Sequence, residues 1–233
     1  MEIFGRKIDL KSLGGVFLNG DCMEGMKEIP DKYFDLAIVD PPYGIGVDTA
    51  MRKSAGTQYG NAAAPKATYH TSDWDIKSPD AEYFNELRRV SKNQILWGAN
   101  HYISKIPVDS SCWIVWDKKN GTNNFADCEL AWTSFKTAVR KFDYMWNGML
   151  QENMKDKEIR IHPTQKPVAL YHWLLNNYAE KGDKILDTHV GSASSLIACH
   201  DMGFEYLGFE LDEDYYRMAS ERLEAHKAQL TLF

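Results

Sequence analysis

The sequence has no pair of cysteines at metal-ligand spacing, no long apolar run and no low-complexity tract. Its four cysteines are spread along 233 residues, a pattern typical of reduced thiols that argues against a disulfide framework or a zinc site. The absence of a signal peptide and of an apolar span of about 20 residues predicts a cytoplasmic protein that does not use a membrane.

The sequence also lacks a net positive charge, since 33 acidic residues outnumber 27 Lys and Arg residues and the formal net charge is −6 at pH 7. Counterion release by Lys and Arg normally drives the binding of DNA, so this balance is unfavourable for that function. The deficit is local, because the segment from Glu180 onward contains 11 acidic and 5 basic residues. Residues 44–70 and 117–166 each carry a net charge of +2. They are candidate DNA-facing surfaces, although mixed charge runs are also typical of an ordinary solvated face.

The apolar content suffices for one sizeable core, because 44% of the residues are hydrophobic and 233 residues are too few for two comfortable domains. Strands are expected at 16–18, 34–39, 94–97, 113–116, 129–135, 184–187 and 204–209, and helices at about 78–90, 168–178, 196–202 and 214–229. Strands that alternate with helices predict a single three-layer α/β domain over residues 1–233.

The most informative pattern is Asp-Pro-Pro-Tyr at residues 40–43, directly after the apolar run 34–39. Prolines lack a backbone donor and have φ fixed near roughly −65°, which leaves the carbonyls of Asp40 and Pro41 free to face a ligand. A planar amine could donate one N–H to the Asp40 carboxylate and one to the Pro41 carbonyl, while Tyr43 stacks on its ring. A strand that ends in a simple turn remains the alternative.

A second pattern begins at Asp187, which ends a short predicted strand. A loop of small residues around Gly191 follows, then a helix, another strand and Glu210. In this layout a nucleotide-like ligand lies over the turn and the second acid binds ribose hydroxyls. Ala193 replaces a glycine of the dinucleotide fingerprint, which disfavours a nicotinamide-dependent oxidoreductase and leaves an ordinary βαβ unit open.

Together the motifs resemble the S-adenosylmethionine-dependent DNA amino-methyltransferases of the permuted β group. Residues 40–43 match the catalytic tetrapeptide, residues 162–167 match the His-Pro-Thr-x-Lys-Pro signature, and residues 187–195 stand where the Asp-Pro-Phe-x-Gly-Ser-Gly loop belongs. The tetrapeptide also precedes the cofactor loop, as in this group. The resemblance covers about residues 16–216. It implies a Rossmann-like methyltransferase fold with a mostly parallel seven-stranded sheet and one antiparallel strand.

The resemblance also implies a site without a metal. Its catalytic residues would be Asp40, Pro41, Pro42 and Tyr43. Its cofactor-binding residues would be Asp21, Cys22, His162, Thr164, Lys166, Asp187, His189, Gly191, Ser192 and Glu210. Glu210 would bind the ribose, and Asp21 with Cys22 would meet the adenine edge. For Cys22, a small buried apolar role is the alternative.

Lys166 and Thr164 would hold the amino acid moiety of the cofactor, with Lys166 as the partner of its carboxylate. A surface cation at a helix start is the alternative for Lys166. Thr188, His189 and Ala193 depart from the family's Pro, Phe and Gly. These departures are expected to weaken cofactor binding.

The implied activity is methyl transfer to N6 of an adenine flipped out of double-stranded DNA, because Asp40 is typical of the adenine-specific members. N4-cytosine methylation, RNA amine methylation and a catalytically lapsed DNA-binding homologue stay open. The resemblance implies a bacterial or phage-encoded enzyme of the restriction-modification kind, with a solitary phage or prophage modifier left open and a homodimer as a further option.

Two segments are expected to contact DNA. Residues 44–75 form a long stretch without clear periodicity, which predicts a mobile lid or simple disorder. Residues 136–160 stand where this group carries its target-recognition insert, and the segment is short.

Overall fold

The computed structural model describes residues 1–46, 75–106, 108–121, 126–147 and 150–230. Its strands are β1 (Glu2–Ile3), β2 (Arg6–Lys7), β3 (Gly15–Asn19), β4 (Phe34–Val39), β5 (Ser91–Trp97), β6 (Trp113–Asp117), β7 (Cys128–Thr133), β8 (Arg140–Asp143), β9 (Trp146–Asn147), β10 (Leu150–Gln151), β11 (Lys184–Asp187) and β12 (Glu205–Glu210). Its helices are α1 (Cys22–Lys27), α2 (Ala81–Val90), α3 (Val168–Tyr178), α4 (Ser194–Asp201) and α5 (Glu213–Leu230). None of these helices is long and apolar enough to span a membrane.

One central sheet organises the molecule, with the strand order β3-β12-β11-β4-β5-β7-β6-β8. Strand β7 runs antiparallel to both of its neighbours, β5 and β6. The other neighbouring pairs of this sheet are parallel. The mostly parallel sheet with one antiparallel strand is therefore confirmed.

The predicted number of seven strands is wrong, because β8 adds an eighth at the edge of the sheet. This strand pairs in parallel with β6 and has the sequence Arg-Lys-Phe-Asp. Its charged residues do not alternate with apolar ones, since an edge strand buries little surface. The pattern that reveals interior strands is therefore missing from it.

Helices cover both faces of the sheet, which gives the three layers expected from the alternation of strands and helices. Within β4, Ala37 and Val39 belong to the core shared with α1 and α2, whereas Leu36 and Ile38 belong to the core shared with α3, α4 and α5. Successive side chains of a strand point to opposite faces, so a continuous apolar run is what a strand buried on both faces requires.

The carboxyl ends of four adjacent parallel strands gather polar side chains at one edge of the sheet. Asn19 ends β3, Asp40 follows β4, Asp187 ends β11 and Glu210 ends β12. The Asn19 side chain donates to the Glu210 carbonyl oxygen over 2.8 Å, which ties two of these ends together. Ligands of open α/β sheets bind at such an edge.

The greater part of the predicted lid, residues 47–74, lies outside the described residues. The two ends of this segment are described, and they are joined. The Gly44 amide donates to Asp75 Oδ1 over 2.9 Å, and the Gly46 amide donates to the Asp75 carbonyl oxygen over 3.1 Å. Gly46 and Asp75, which flank this segment, are therefore adjacent to each other beside the tetrapeptide.

Candidate active site

A pocket of about 400 Å³ opens at the carboxyl ends of the parallel strands. It is lined by Gly20, Asp21, Cys22, Asp40, Pro42, His162, Thr164, Gln165, Lys166, Tyr171, Thr188, His189, Val190, Gly191, Ser192, Glu210, Leu211, Asp212 and Tyr215. Three distant segments of the chain, each singled out by a sequence motif, thus meet in one cavity. Of the predicted site residues, Pro41, Tyr43 and Asp187 are not part of this lining.

Asp40 is held by two donors at the inner end of the pocket. The Tyr43 hydroxyl donates to Asp40 Oδ1 over 2.7 Å, and Lys166 Nζ lies 2.6 Å from Asp40 Oδ2. Lys166 Nζ also lies 3.0 Å from Glu129 Oε2 and donates to the Tyr43 hydroxyl over 3.1 Å. Lys118 forms a further ion pair with Glu129.

The position of Lys166 differs from its predicted role as partner of the cofactor's carboxylate. Its side chain is 2% exposed, and its ammonium faces two protein carboxylates and a tyrosine hydroxyl. A buried ammonium that already has these acceptors has no remaining N–H for a ligand, because it carries three donors. Lys166 therefore lies with Asp40 and the tetrapeptide, although its sequence motif is the one predicted to bind the cofactor.

Burial and the neighbouring charges act in opposite directions on this cluster. Burial raises the pKa of Asp40, Lys166 opposes that effect and Glu129 adds to it. Burial alone would also raise the pKa of Glu129, but the ammonium groups of Lys166 and Lys118 outweigh it and lower the pKa to about 2. Burial alone would lower the pKa of Lys166, but the two carboxylates raise it. Lys166 and Glu129 are therefore charged at neutral pH.

Tyr43 is fixed by contacts on its ring, its hydroxyl and its backbone. Its ring stacks on His101 with centroids 5.1 Å apart and an interplanar angle of 16°. A Cβ at Gly98 would come within 2.1 Å of the Tyr43 ring, and the φ of Gly98 is +71°, so a side chain is excluded there. The Tyr43 amide donates to Asp75 Oδ1 over 2.8 Å. In this structure the stacking partner of Tyr43 is thus His101, and stacking on a ligand stays a prediction.

The glycine turn is supported from below by Glu210. The Gly191 amide donates to Glu210 Oε2 over 2.8 Å, and the Asp212 amide donates to Glu210 Oε1 over 3.0 Å. Burial raises the pKa of Glu210. Gly191 has a φ of +58° and Ala193 a φ of +64°, so Ala193 takes up the left-handed conformation of the glycine that it replaces.

Asp187 braces the same loop from beneath the pocket. Its Oδ1 accepts the His189 amide over 3.0 Å, and its other oxygen accepts the Ser195 hydroxyl. Burial raises the pKa of Asp187 to about 7. The His189 ring lies 3.0 Å from the Thr188 hydroxyl, and burial lowers the pKa of His189 to about 4. His189 is therefore neutral at pH 7.

His162 and Thr164 also line the pocket, and the His162 ring lies beside Gly191. The His162 ring lies against Tyr215, with centroids 4.3 Å apart, and its Nδ1 lies 3.1 Å from the Thr164 hydroxyl. Burial lowers the pKa of His162 to about 3, so this imidazole is also neutral.

Asp21 and Cys22 lie at the start of α1. Asp21 accepts the Met23 amide over 2.8 Å and caps the helix. The Cys22 thiol is protonated at neutral pH, because burial raises its pKa to about 12. Asp21 thus has a structural role that its sequence motif did not reveal.

Sequence reasoning missed Glu129 and Arg222. Glu129 is an acid in an otherwise mostly apolar strand, which was an available signal. Arg222 lies on α5, and its guanidinium donates to the Ser192 carbonyl oxygen over 2.6 Å and to Glu158 Oε2 over 2.8 Å. It connects the cofactor loop to the end of the predicted recognition insert, a long-range contact for which the sequence offers no signal.

The eight-stranded α/β sheet and the pocket at its carboxyl edge define a Rossmann-like fold. Residues 131–221 match the family model N6_N4_Mtase, which describes a DNA methylase. The chain is 24% identical over 265 residues to the type II methyltransferase M.HinfI of Haemophilus influenzae, and the match covers 95% of this chain and 71% of the relative. These matches confirm the predicted resemblance, since residues 131–221 match a DNA methylase model of the N6/N4 type and the relative is a type II methyltransferase.

Two solved structures share the fold. The crystal structure of the M1.HpyAVI–SAM complex matches with a TM-score of 0.54 and 19% identity, over 89% of this chain and 98% of that one. The cytosine-N4-specific PvuII DNA methyltransferase matches with a TM-score of 0.59 and 11% identity, over 93% of this chain and 92% of that one. At such low identity these likenesses concern the fold alone.

Proposed function

We propose that this protein transfers the methyl group of S-adenosylmethionine to the N6 amine of an adenine flipped out of double-stranded DNA. The observation that carries the proposal is the meeting of Asp40 with Gly191 and Glu210 in one pocket. An acceptor carboxylate and a nucleotide-type turn then face the same space, which a direct transfer between two bound molecules requires. We further propose that it acts in the cytoplasm of a bacterium.

The charges in the pocket fit a cationic cofactor. His162 and His189 are neutral because burial lowers the pKa of each. The charge of Lys166 is balanced by two carboxylates. No further Lys or Arg lines the pocket within the described part of the chain. A positively charged sulfur would therefore meet little repulsion here.

The other groups of S-adenosylmethionine also find partners of suitable chemistry. Each oxygen of Glu210 accepts one backbone N–H and retains a lone pair for a ribose hydroxyl. Leu211 follows Glu210 with 71% of its surface exposed, which provides an apolar surface for a heteroaromatic ring. The Thr164 hydroxyl could bind the amino acid moiety of the cofactor. Lys166 is not assigned to the carboxylate of that moiety, because its N–H groups already have partners. When bound, S-adenosylmethionine supplies an electrophilic methyl group.

The chain's own contribution to the reaction is to orient the amine. An exocyclic amine is a poor nucleophile because its lone pair is delocalised into the ring. Hydrogen bonds from its two N–H groups to Asp40 and to the Pro41 carbonyl favour a pyramidal nitrogen with a localised lone pair. Positioning and electrostatics then lower the barrier without a covalent enzyme intermediate.

Each oxygen of Asp40 already has one donor, Tyr43 on Oδ1 and Lys166 on Oδ2, and retains a lone pair that can accept an N–H of that amine. If the amine displaces one of these donors, it is the Tyr43 hydroxyl, because the Lys166 ammonium is buried and tied to Glu129 as well. Flipping the base out of the duplex costs a few kcal/mol, which stacking on Tyr43 would offset in part.

We also propose that two segments of the chain contact the DNA. Residues 44–75, most of which lie outside the described residues, would contact DNA as a lid, and residues 136–160 would serve as the recognition insert. In the described part of that insert, Leu150, Met154 and Ile159 are 53%, 54% and 79% exposed. Exposed apolar side chains among basic residues are compatible with contact to DNA or to a second copy of the chain.

The test is incorporation of labelled methyl groups into duplex DNA, single-stranded DNA and RNA in parallel, with base-resolution mapping of the modified DNA. We expect N6-methyladenine in duplex DNA. Asp40→Ala should abolish transfer and keep S-adenosylmethionine binding, measured by calorimetry. Asp31→Ala, which removes an exposed carboxylate paired with Arg89, is the matched control. Substantial turnover by the Asp40→Ala variant would contradict the assigned role, and N4-methylcytosine in the map would replace adenine as the target.

A further inference from the structure

The ammonium of Lys166 is held from three directions. Its acceptors are Asp40 Oδ2 at 2.6 Å, Glu129 Oε2 at 3.0 Å and the Tyr43 hydroxyl at 3.1 Å. An ammonium has three N–H donors, so these three acceptors use its full capacity and fix its orientation. Glu129 is the acceptor of this set that no sequence motif includes.

Glu129 reaches the site because β7 is antiparallel. The parallel strands bring their last residues to the pocket edge, whereas an antiparallel strand brings its first residues there. Trp97, the last residue of β5, pairs with Ala131, and the Gly98 amide donates to the Leu130 carbonyl oxygen over 2.9 Å. Glu129 therefore lies just beyond the end of β5, level with the residues that follow the other strands.

We infer that Glu129 is a positioning residue for the proposed methyl transfer, which fixes the Lys166 ammonium so that Lys166 orients the Asp40 carboxylate toward the target amine. This inference rests on the proposed function. Asp40, Lys166, Glu129 and Lys118 form an alternating row of negative and positive charges. Lys118 forms an ion pair with Glu129, and Lys166 lies between the carboxylates of Glu129 and Asp40.

Asp40 is a better hydrogen-bond acceptor when Lys166 is shared with Glu129 than when Lys166 pairs with Asp40 alone. With Glu129 present, the second negative charge raises the pKa of Asp40. Without that charge, Lys166 would act on Asp40 alone and stabilise its ionised form more strongly. The Asp40 carboxylate would then bind the amine's N–H groups less well, and the ammonium would lose one of its three fixed directions.

The experiment compares Glu129→Gln and Glu129→Asp with the native protein. For Glu129→Gln we expect single-turnover transfer to slow by about 10-fold to 100-fold, as misplaced catalytic groups typically do. The acid limb of the pH–rate profile should move to lower pH, and the Kd for S-adenosylmethionine should stay within about 2-fold. Glu129→Asp should restore the acid limb toward its native position, because it keeps the charge.

The matched control is Glu86→Gln, since Glu86 has the same 21% side-chain exposure and a single ion pair with Arg89 on α2. It should change neither the rate nor the acid limb. An unshifted acid limb and an unchanged rate in Glu129→Gln would overturn the inference and leave only a structural ion pair.

A second measurement separates this inference from the proposed function. Titration of the Asp40 carboxyl carbon, followed by NMR of labelled protein, needs no DNA substrate. The midpoint of the Asp40 titration should move to lower pH in the Glu129→Gln variant. If the native protein transfers no methyl group to nucleic acid, the proposed function fails and the reaction assigned to Glu129 fails with it. If transfer occurs and the Asp40 titration does not move, the positioning role alone is wrong.

Discussion

Lys166→Met should destabilise the fold more strongly than the loss of any surface ion pair. Methionine preserves most of the aliphatic volume and removes the ammonium, which leaves the carboxylates of Asp40 and Glu129 without the cation between them. Breaking a buried ion pair costs about 3–5 kcal/mol. Because Asp40 and Glu129 retain 17% and 21% of their side-chain exposure, we expect a loss of about 3 kcal/mol, the lower end of that range.

The loss should depend on pH in a defined direction. Glu129 keeps its ion pair with Lys118. Without Lys166, burial and the charge of Glu129 raise the pKa of Asp40 in the folded state above its value in the unfolded chain. The folded state then binds more protons than the unfolded one, so stability falls as pH rises through the folded pKa. The destabilisation should therefore be largest near pH 8 and smaller at about pH 5, where a carboxyl group takes up a proton.

Urea unfolding followed by tryptophan fluorescence at both pH values measures this effect. Lys92→Met is the control, because Lys92 is 55% exposed and forms an ion pair with Asp35 at the surface. Its loss should cost less than about 1 kcal/mol and vary little between the two pH values. Equal destabilisation by the two substitutions at pH 8, or a Lys166→Met penalty that does not shrink at lower pH, would refute the reasoning.

Three further predictions concern contacts around the pocket. Tyr43→Phe keeps the ring and removes a neutral acceptor of the Lys166 ammonium together with a donor to Asp40, so single-turnover transfer should slow by less than the about 10-fold to 100-fold expected for Glu129→Gln; a larger loss would show that the hydroxyl holds Asp40 more firmly than Glu129 does. Asp75→Ala removes a buried acceptor of two amides and should cost about 2 kcal/mol in urea unfolding; an unchanged midpoint would contradict this. Arg222→Met removes a donor to the Ser192 carbonyl oxygen and should weaken S-adenosylmethionine binding about 10-fold by calorimetry, whereas unaltered affinity would exclude that support.

The sequence predicted the bounds of secondary-structure elements best where a strand is buried on both faces or where the start and end signals of a helix are strong. The bounds expected for β4, α3 and β11 agree with the structure. The start of α2 was placed too early, because Asp80 rather than Ser78 occupies the N-cap position. The short helix α1 was missed, since six residues carry little periodicity and its capping acid, Asp21, had been assigned to a ligand.

Sequence motifs identified the residue types of the pocket but not their pairing. The tetrapeptide and the glycine turn could be found because each is contiguous. Glu129 and Arg222 escaped notice because their partners lie 37 and 30 residues away in the chain, at Lys166 and Ser192. Such contacts depend on sheet order and helix packing, which local patterns do not encode.

The pairing of Lys166 changes how the two halves of the pocket relate to each other. Its segment supplies His162 and Thr164 to the cofactor wall, and four residues after His162 the same segment supplies the ammonium that holds Asp40. Under the proposed function, a cofactor bound against His162 and Thr164 would therefore also restrict the motion of the Asp40 carboxylate, which would lower the entropic cost of orienting the amine. Cofactor binding would in this way prepare Asp40 for the proposed target base.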